Sequence, residues 1–475
     1  MPHLQGVSRD AVILFPPTLD EYITADNPVR FIDAFVDSLD LEVLGFQCVI
    51  AATEGRPAYE PADLLKLYLY GYLNGVRSSR RLERETQRNL EAMWLLKKLT
   101  PDHKTIADFR KDNLTALQQV CREFTRLCKE LELFGGELVA IDGSKFLAVN
   151  SRQRNYTPEK LRRALKEIDE KITRYLAELD EQDAQEQTVT LVAADELRTQ
   201  IARLRVRQEH YQSVQAQLER SGQPQLSLTD PDSRSMPAGQ GTVVGYNVQT
   251  AVDSKHKLIV AHEVTNTVTD QDQLAPMAQQ AKQALGVETL AATTDKGYYD
   301  GEQVQQCLAQ GVTPYIPKPH TSVNQQRGLY TKDDFTFDRQ RDLYRCPAGA
   351  ELTFRFATVE SGRATRYYAT PACRTCAVRA RCTQNKGGRR ITRWTHEHLL
   401  DDMAERVKAH PEIVAQRKAL SEHPFGTIKR AMGQGYFLMK GLLKVRAEMS
   451  LTVLAYNLKR VLNILGVPKL IAAVA

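Results

Sequence analysis

Apolar positions over residues 1–130 recur at helical spacing. The run Pro61-Ala62-Asp63-Leu64-Leu65-Lys66-Leu67-Tyr68-Leu69-Tyr70 opens on a proline at a first-turn position and continues apolar. Asn74-Gly75 marks a turn, and Ser78 or Ser79 is placed to cap the helix that follows. Asp102 to Arg110 reads as a turn entering another helix. With Arg77, Arg80, Arg81, Arg84 and Arg88 clustered on one of them, these short helices fit a helix-turn-helix-like DNA reader. An all-helical packing domain with a basic surface fits the same pattern.

From residue 157 the periodicity changes. Leu161, Leu165, Ile168, Ile172, Tyr175 and Leu179 alternate spacings of four and three, a heptad seam. Leu197, Ile201, Leu204, Tyr211 and Leu218 form a weaker seam beyond a polar, Gln-rich break near Glu181 to Thr190. Thr157-Pro158-Glu159 is a helix start signal, so an antiparallel helical hairpin is expected, with a dimerising coiled coil as the alternative. Farther on, Val243–Val252 and Leu258–Val264 alternate as strands around the turn Asp253-Ser254-Lys255-His256. Gln273–Leu285 and Gly301–Ala309 read as helices, and Leu290–Thr294 and Val312–Ile316 as short buried strands. A strand bearing Asp142, a hairpin and then strand–helix alternation predict an α/β fold, an RNase H-like mixed sheet with flanking helices.

The expected organisation is therefore a helical N-terminal DNA-binding domain over 1–130 and a catalytic domain interrupted twice. Its parts are 131–156, 226–325 and 396–475, separated by a helical hairpin over 157–225 and a Cys-rich insertion over 326–395. A length of 475 residues allows about two to four such units. A hydrophobic fraction of 42% and a charged fraction of 26% are ordinary for globular proteins. No stretch reaches the roughly 18 apolar residues of a membrane helix, and no signal pattern opens the chain, so a cytoplasmic location without membrane partners is expected.

The net charge of +6 is unevenly spread. Arg374 to Arg393 holds seven Lys or Arg and no acid, and Gln416 to Arg446 holds seven more with Glu422 as the one acid. Such runs suit DNA phosphates. Eight cysteines in a chain this long argue against a disulfide framework. Cys346, Cys373, Cys376 and Cys382 cluster, the last three as Cys-x2-Cys-x5-Cys, and make a candidate structural zinc site to which His396 or His398 could contribute. Cys48, Cys121, Cys128 and Cys307 lie in helical patterns and are expected in the core.

Three acids stand in settings that suit a divalent metal. Asp142 closes the apolar run from Leu138 and precedes Gly143, Asp295 closes the run from Leu290, and Glu422 lies in the basic C-terminal stretch. Carboxylates at two strand ends and one on a later helix are what two-metal phosphoryl transfer requires, with cations about 3.5–4 Å apart clamping the attacking and leaving oxygens. Magnesium keeps several waters, so few protein ligands suffice. Pro424 disfavours helix at His423 and Gly426 weakens one, so Glu422 is expected to end one helix and Lys429 to begin another. Glu397, Asp401, Asp402, Glu405 and Glu412 are alternative third ligands, and each acid could instead be a turn or capping carboxylate.

These residues carry a resemblance. Ile141-Asp142-Gly143-Ser144, Thr294-Asp295-Lys296-Gly297-Tyr298 and Glu422-His423-Pro424-Phe425-Gly426-Thr427-Ile428-Lys429-Arg430 look like motifs of a DDE transposase of a bacterial insertion sequence. Leu454 to Arg460 is similar to the closing helix of such enzymes, and Thr229 to Arg234 and Gly245-Tyr246-Asn247 to segments near their inner strands. The likeness runs from about Pro57 to Gly466. It implies Mg²⁺ or Mn²⁺ as two ions on Asp142, Asp295 and Glu422, DNA cleavage at element ends, strand transfer into target DNA, and a dimer or larger assembly on DNA. In the family pattern Y-x2-R-x3-E-x6-K, Lys429 takes the Lys position, Lys418 the Arg position and Ala415 the Tyr position. Lys418, Lys429, Arg430, Arg77, Arg80, Arg81 and Arg84 are the expected DNA contacts. A nuclease of the same fold and a transposase-derived DNA-binding protein without activity are the competing readings.

Overall fold

The computed structural model describes residues 17–50, 54, 57–184, 191–239, 241–319, 322–360 and 362–475, without the side chains of 182–184 and 191–194. Six helices come first: α1 (Pro28–Asp37), α2 (Pro61–Leu73), α3 (Ser79–Arg88), α4 (Leu90–Leu95), α5 (His103–Asp112) and α6 (Leu114–Glu130). Asn27, Asn89 and Asp102 cap three of them with side-chain oxygens, the polar start signal that each needs. Ser78 precedes α3 but makes no capping bond.

A mixed sheet follows. Its strands are β1 (Leu138–Leu147), then, after the short β2 (Asn155–Tyr156), the hairpin α7 (Pro158–Ala184) and α8 (Leu191–Ser221), and β3 (Leu226–Ser227), the strands β4 (Arg234–Ala238), β5 (Gly241–Asp253) and β6 (Ile259–Thr265). Helix α9 (Leu274–Leu285), β7 (Leu290–Thr293), α10 (Gly301–Ala309) and β8 (Val312–Tyr315) complete the unit. β5 pairs antiparallel with β1, and its other edge is shared by β4 along Gly241–Gly245 and β6 along Asn247–Val252. β7 lies parallel to β1, and β8 parallel to β7. Reading across gives β6-β5-β1-β7-β8, three antiparallel strands followed by two parallel ones.

The hairpin leaves the sheet after β1 and is stapled at its base by β2 pairing with β3. Leu161, Ile168, Ile201, Val214 and Leu218 are buried along its seam, so the heptad spacing packs one arm on the other. The expected break near Glu181 to Thr190 falls mostly outside the described residues.

The Cys-rich segment is a second sheet. After α11 (Val323–Gln326) come β9 (Thr336–Asp338), β10 (Leu343–Arg345), β11 (Glu351–Glu360), β12 (Arg363–Ala369), α12 (Arg379–Cys382) and β13 (Arg390–Trp394), with the antiparallel order β13-β12-β11-β10-β9. Its core is aromatic, with Phe335, Tyr344, Leu352, Tyr368 and Ile391 packed around Cys382. That core gives the segment apolar packing of its own. The expectation for Cys48 is corrected: it is exposed in a left-handed turn, while Cys121, Cys128 and Cys307 are buried in helices.

The chain closes with α13 (Glu397–Ala409), α14 (Pro411–Gly426), α15 (Leu442–Leu465) and α16 (Val467–Val474). α15 is buried on every side from Ala447 to Leu458, and the polar Glu448, Ser450, Thr452 and Asn457 within that stretch are each hydrogen-bonded. It packs on α2, α6 and β6, and α16 packs on α1, so the N-terminal helices and one face of the sheet share a single core. Polar side chains fix its position. Asp232 accepts from the Leu442 N–H and Asp230 from Gly441 N–H and the Tyr246 hydroxyl, holding the helix start. At the other end Tyr456, Asn457 and Arg460 bond the main chain of Lys257, Ile259 and His256, gripping the β5–β6 hairpin. None of the described helices is long and apolar enough to cross a membrane.

Arg77 is a correction to the expected DNA contacts. It is 5% exposed, bonds the Tyr436 carbonyl at 2.8 Å, stacks over the Tyr436 ring and faces the fully buried Glu448 at 3.4 Å. Its guanidinium thus joins the N-terminal helices to the segment before α15. Removing one partner of a buried ion pair leaves the other uncompensated. Arg77→Ala is expected to lower unfolding stability by about 3 kcal/mol in denaturant melts, with partial recovery in Arg77→Ala/Glu448→Gln. A single-variant loss below about 1 kcal/mol would contradict the structural role.

Candidate active site

The parallel register of β1 and β7 sets the site. Leu138 stands opposite Ala291, Val139 opposite Ala292 and Ala140 opposite Thr293, so the same register carried forward brings Asp142 level with Asp295. Alternation along β1 then sorts its side chains. Val139 and Ile141 enter the core shared with α9 and α10, while Asp142, Ser144 and Phe146 point to the opposite face, which α14 covers.

Asp142 accepts from the Gly143 N–H at 2.8 Å and faces the Arg417 guanidinium at 3.4 Å, each side chain about one-fifth exposed. Burial pushes its carboxyl above the usual range; Ser421 and Arg417 offset part of this, and Asp295 adds to it. Asp295 is half-buried and accepts from Gly297 N–H at 2.8 Å, capping the short turn to Tyr298. Ser421 on α14 faces the Asp142 carboxylate, while the fully buried Thr250 hydroxyl across the strand pair has no hydrogen-bond partner among the described residues. This is a polar, underbonded setting for two adjacent carboxylates.

The helix through Glu422 differs from expectation. α14 continues through Pro424 to Gly426 and passes directly into a π-helical turn, Thr427–Ala431. Proline forfeits one helical bond, and burial of Pro424, Phe425 and Ile428 offsets that loss. Arg417 and Ser421, four residues apart, share the face toward Asp142. Lys418 and Glu422 share the next face round and are exposed. The arginine therefore acts from one position earlier than the family pattern places it, and the sequence reading missed it. Among the described residues, no three His, Cys, Asp or Glu side chains come together closely enough to hold a metal ion. The alternative acids are engaged elsewhere: Asp401 with Arg393, Asp402 with Arg339, Glu397 with Lys332, Glu405 with Lys408 and Glu412 with His410.

Lys429 does not extend into solvent. Its ammonium bonds Ser144 Oγ at 2.6 Å and the Lys145 carbonyl at 2.7 Å and lies over the Phe146 ring. Burial, with Lys145 adding, pulls it down to about 8. Arg430, Arg80, Arg81 and Arg84 are exposed.

Behind Asp142, on the other face of β1, lies a network that the sequence reading missed. Asp270 accepts from Asn247 at 2.6 Å, Gln249 at 2.7 Å and Lys145 at 3.3 Å. Gln249 in turn accepts from the buried Tyr298 hydroxyl, three residues past Asp295. A Cβ at position 143 would meet Gln249 at 2.4 Å and Asp270 at 2.7 Å, which is why glycine follows Asp142. The network ties both aspartate-bearing segments to β5. Buried polar residues in an otherwise apolar strand, Asn247 and Gln249, were its sequence signal.

The four clustered cysteines are all free, and burial raises the Cys382 thiol, with Arg389 opposing the rise and Cys373, Cys346 and Cys376 adding to it, so each of these three lies within electrostatic reach of Cys382. They do not form a closed ligand set in this arrangement.

Two family models match the chain. A Transposase domain (DUF772) model matches residues 17–112, and a Transposase DDE domain model matches 345–462, a span that includes Glu422 but not Asp142 or Asp295. The two matches support a DDE transposase of the insertion-sequence type. No curated protein matches this transposase. Among solved structures it is similar to a piggyBac transposase synaptic complex with hairpin DNA, at 9% identity and a TM-score of 0.28, over 92% of this chain and 82% of that one. So slight a likeness supports no argument about the transposase.

The Asp270 network is testable by stability. Asp270→Ala strips the shared acceptor from two buried amides, and unfolding stability is expected to fall by about 1–3 kcal/mol. A wild-type denaturation midpoint in that variant would remove the network from the account.

Proposed function

We propose that this transposase cuts DNA at the ends of its element and joins the freed 3′ ends to target DNA, with Asp142, Asp295 and Glu422 as its acidic trio. The observation that carries the reading is the β1–β7 register, which brings two carboxylates level on adjacent parallel strands under a helix bearing a third. The strand order β6-β5-β1-β7-β8, antiparallel for three strands and parallel for two, supports an RNase H-like sheet.

DDE transposases generally use divalent metals, and the residues beside Asp142 fit one. Asp142 and Asp295 are adjacent acids whose mutual repulsion a cation relieves, and the unpartnered Thr250 hydroxyl suits its bound waters. Held there by Asp142 and Asp295, Mg²⁺ or Mn²⁺, as two ions in the full reaction, would supply charge for the attacking and leaving oxygens. The protein's own groups position the DNA. Arg417 orients the Asp142 carboxylate, and Lys429 has one N–H of three left for a phosphate. Glu422, exposed on the neighbouring face of α14, offers its carboxylate from the solvent side, with Lys418 and Arg430 beside it for phosphate contact. Arg80, Arg81 and Arg84 present a basic face on α3 that suits flanking DNA. Bringing two element ends together requires at least two copies on DNA.

Cleavage of a duplex carrying the element's end, with Mg²⁺ or Mn²⁺, tests the reading. Asp142→Ala is expected to lose about a hundredfold or more in rate, and undiminished cutting by that variant would defeat the assignment. A pH profile gives a second check. Lys429 is charged below its folded value of about 8 and loses its proton above it, so its phosphate grip is present at low pH and fades as pH rises through 8. Cleavage is expected to decline there, and Lys429→Arg should move the decline upward, because arginine stays charged. A decline at the same pH in Lys429→Arg would assign it to another group.

A further inference from the structure

We propose that the outer face of the β11–β12 ribbon is a stacking platform for unpaired DNA bases, an inference that rests on the DNA-transposase reading above. Only the first part of β11 packs into the module's core: Leu352 is buried, and every residue from Thr353 to Glu360 is exposed. Large apolar groups lie on this bare ribbon. Phe356 is 46% exposed and stacks on Tyr367 of β12 with ring centres 4.6 Å apart and planes 11° from parallel. The strand register places Phe356 opposite Tyr367 on the face away from Tyr368 and Ile391, so this pair is not part of the aromatic core.

Cations surround the pair. Arg390 is exposed on β13, opposite Ala369 and on the same face as Tyr367, and Arg355 at the β11 bulge reaches the Ala369 carbonyl. Glu360, which accepts from the Tyr367 hydroxyl, is the carboxylate at this face. Beyond it the balance is strongly positive. Of the seven cations between Arg374 and Arg393, only Arg393 has a carboxylate partner among the described residues. Charge complementarity therefore selects a polyanion, and the rings select one with accessible flat faces. Aromatic stacking with arginine alongside is how single strands are held without regard to sequence. A duplex buries its base faces and can use only the cations. The platform thus prefers the unpaired segments that strand cleavage and exchange create over intact double helix.

The test is fluorescence anisotropy of the full-length protein with labelled oligo-dT and with a duplex of equal length, at fixed salt. Phe356→Ala/Tyr367→Ala is expected to weaken oligo-dT binding about tenfold and duplex binding less than twofold. Equal losses on both probes, or an unchanged oligo-dT affinity, would overturn the proposal. Phe356→Trp guards against misfolding: it should bind oligo-dT as the wild type does, with its indole fluorescence quenched by the bound strand. Wild-type binding without quenching would also overturn it. Asp142→Ala separates this inference from the catalytic reading, because it should lose cleavage while keeping oligo-dT affinity. Robust cleavage by a wild type that ignores Phe356 in binding would end the platform and leave the active site standing.

Discussion

The acidic site of this molecule depends on the pairing of β1 with β7. A parallel pair needs a long crossover, and here the chain from the end of β1 to the start of β7 contains the hairpin α7–α8, the β5–β6 hairpin and α9 before it returns. That return is specified by alternation: a slip of one residue would turn Val139 and Ile141 out of the core and Asp142 away from α14. In register, Asp142 and Asp295 share a level, Gly143 leaves space for Gln249 and Asp270, and Ser144 receives Lys429. The electrostatic strain of adjacent half-buried acids is held by packing on both faces.

The second constraint is α15. Because it is buried all round, it serves as a common core for the sheet and the N-terminal helices. The N-terminal helices are thus not an independently packed appendage. A buried guanidinium on one side and a buried carboxylate on the other fix their relation, while the exposed Arg80, Arg81 and Arg84 remain on α3 as surface charge. The basic face of α3 and the acidic site thus stand on one rigid core.

Much of this was legible in the chain. Period-two alternation at Val243–Val252 and Leu258–Val264 gives the hairpin, and the two apolar runs ending in Asp142 and Asp295 give the paired strands. The heptad seam gives the two helical arms. What was hidden depends on contacts distant in sequence. Arg77 reads as one basic residue among several until Glu448, far along the chain, is placed beside it. Pro424 reads as a helix end because local propensity cannot weigh the core that Phe425 and Ile428 enter. Arg417 and Lys418 differ by one position, which on a helix is a turn of about 100°, enough to decide which of them faces Asp142. The five-stranded sheet of the Cys-rich segment was concealed because the alternation Leu352-Thr353-Phe354-Arg355-Phe356 is short, is broken by a bulge at Arg355, and lies on a strand exposed from Thr353 to Glu360.

The central claim is that Asp142 and Asp295 together form a divalent-cation site. Electron paramagnetic resonance of Mn²⁺ titrated into the protein without DNA reads that directly. Wild-type protein should bind Mn²⁺, and Asp142→Asn and Asp295→Asn, which keep shape but remove charge, should each abolish the same binding phase. Mn²⁺ binding that survives both substitutions at wild-type affinity would contradict the account.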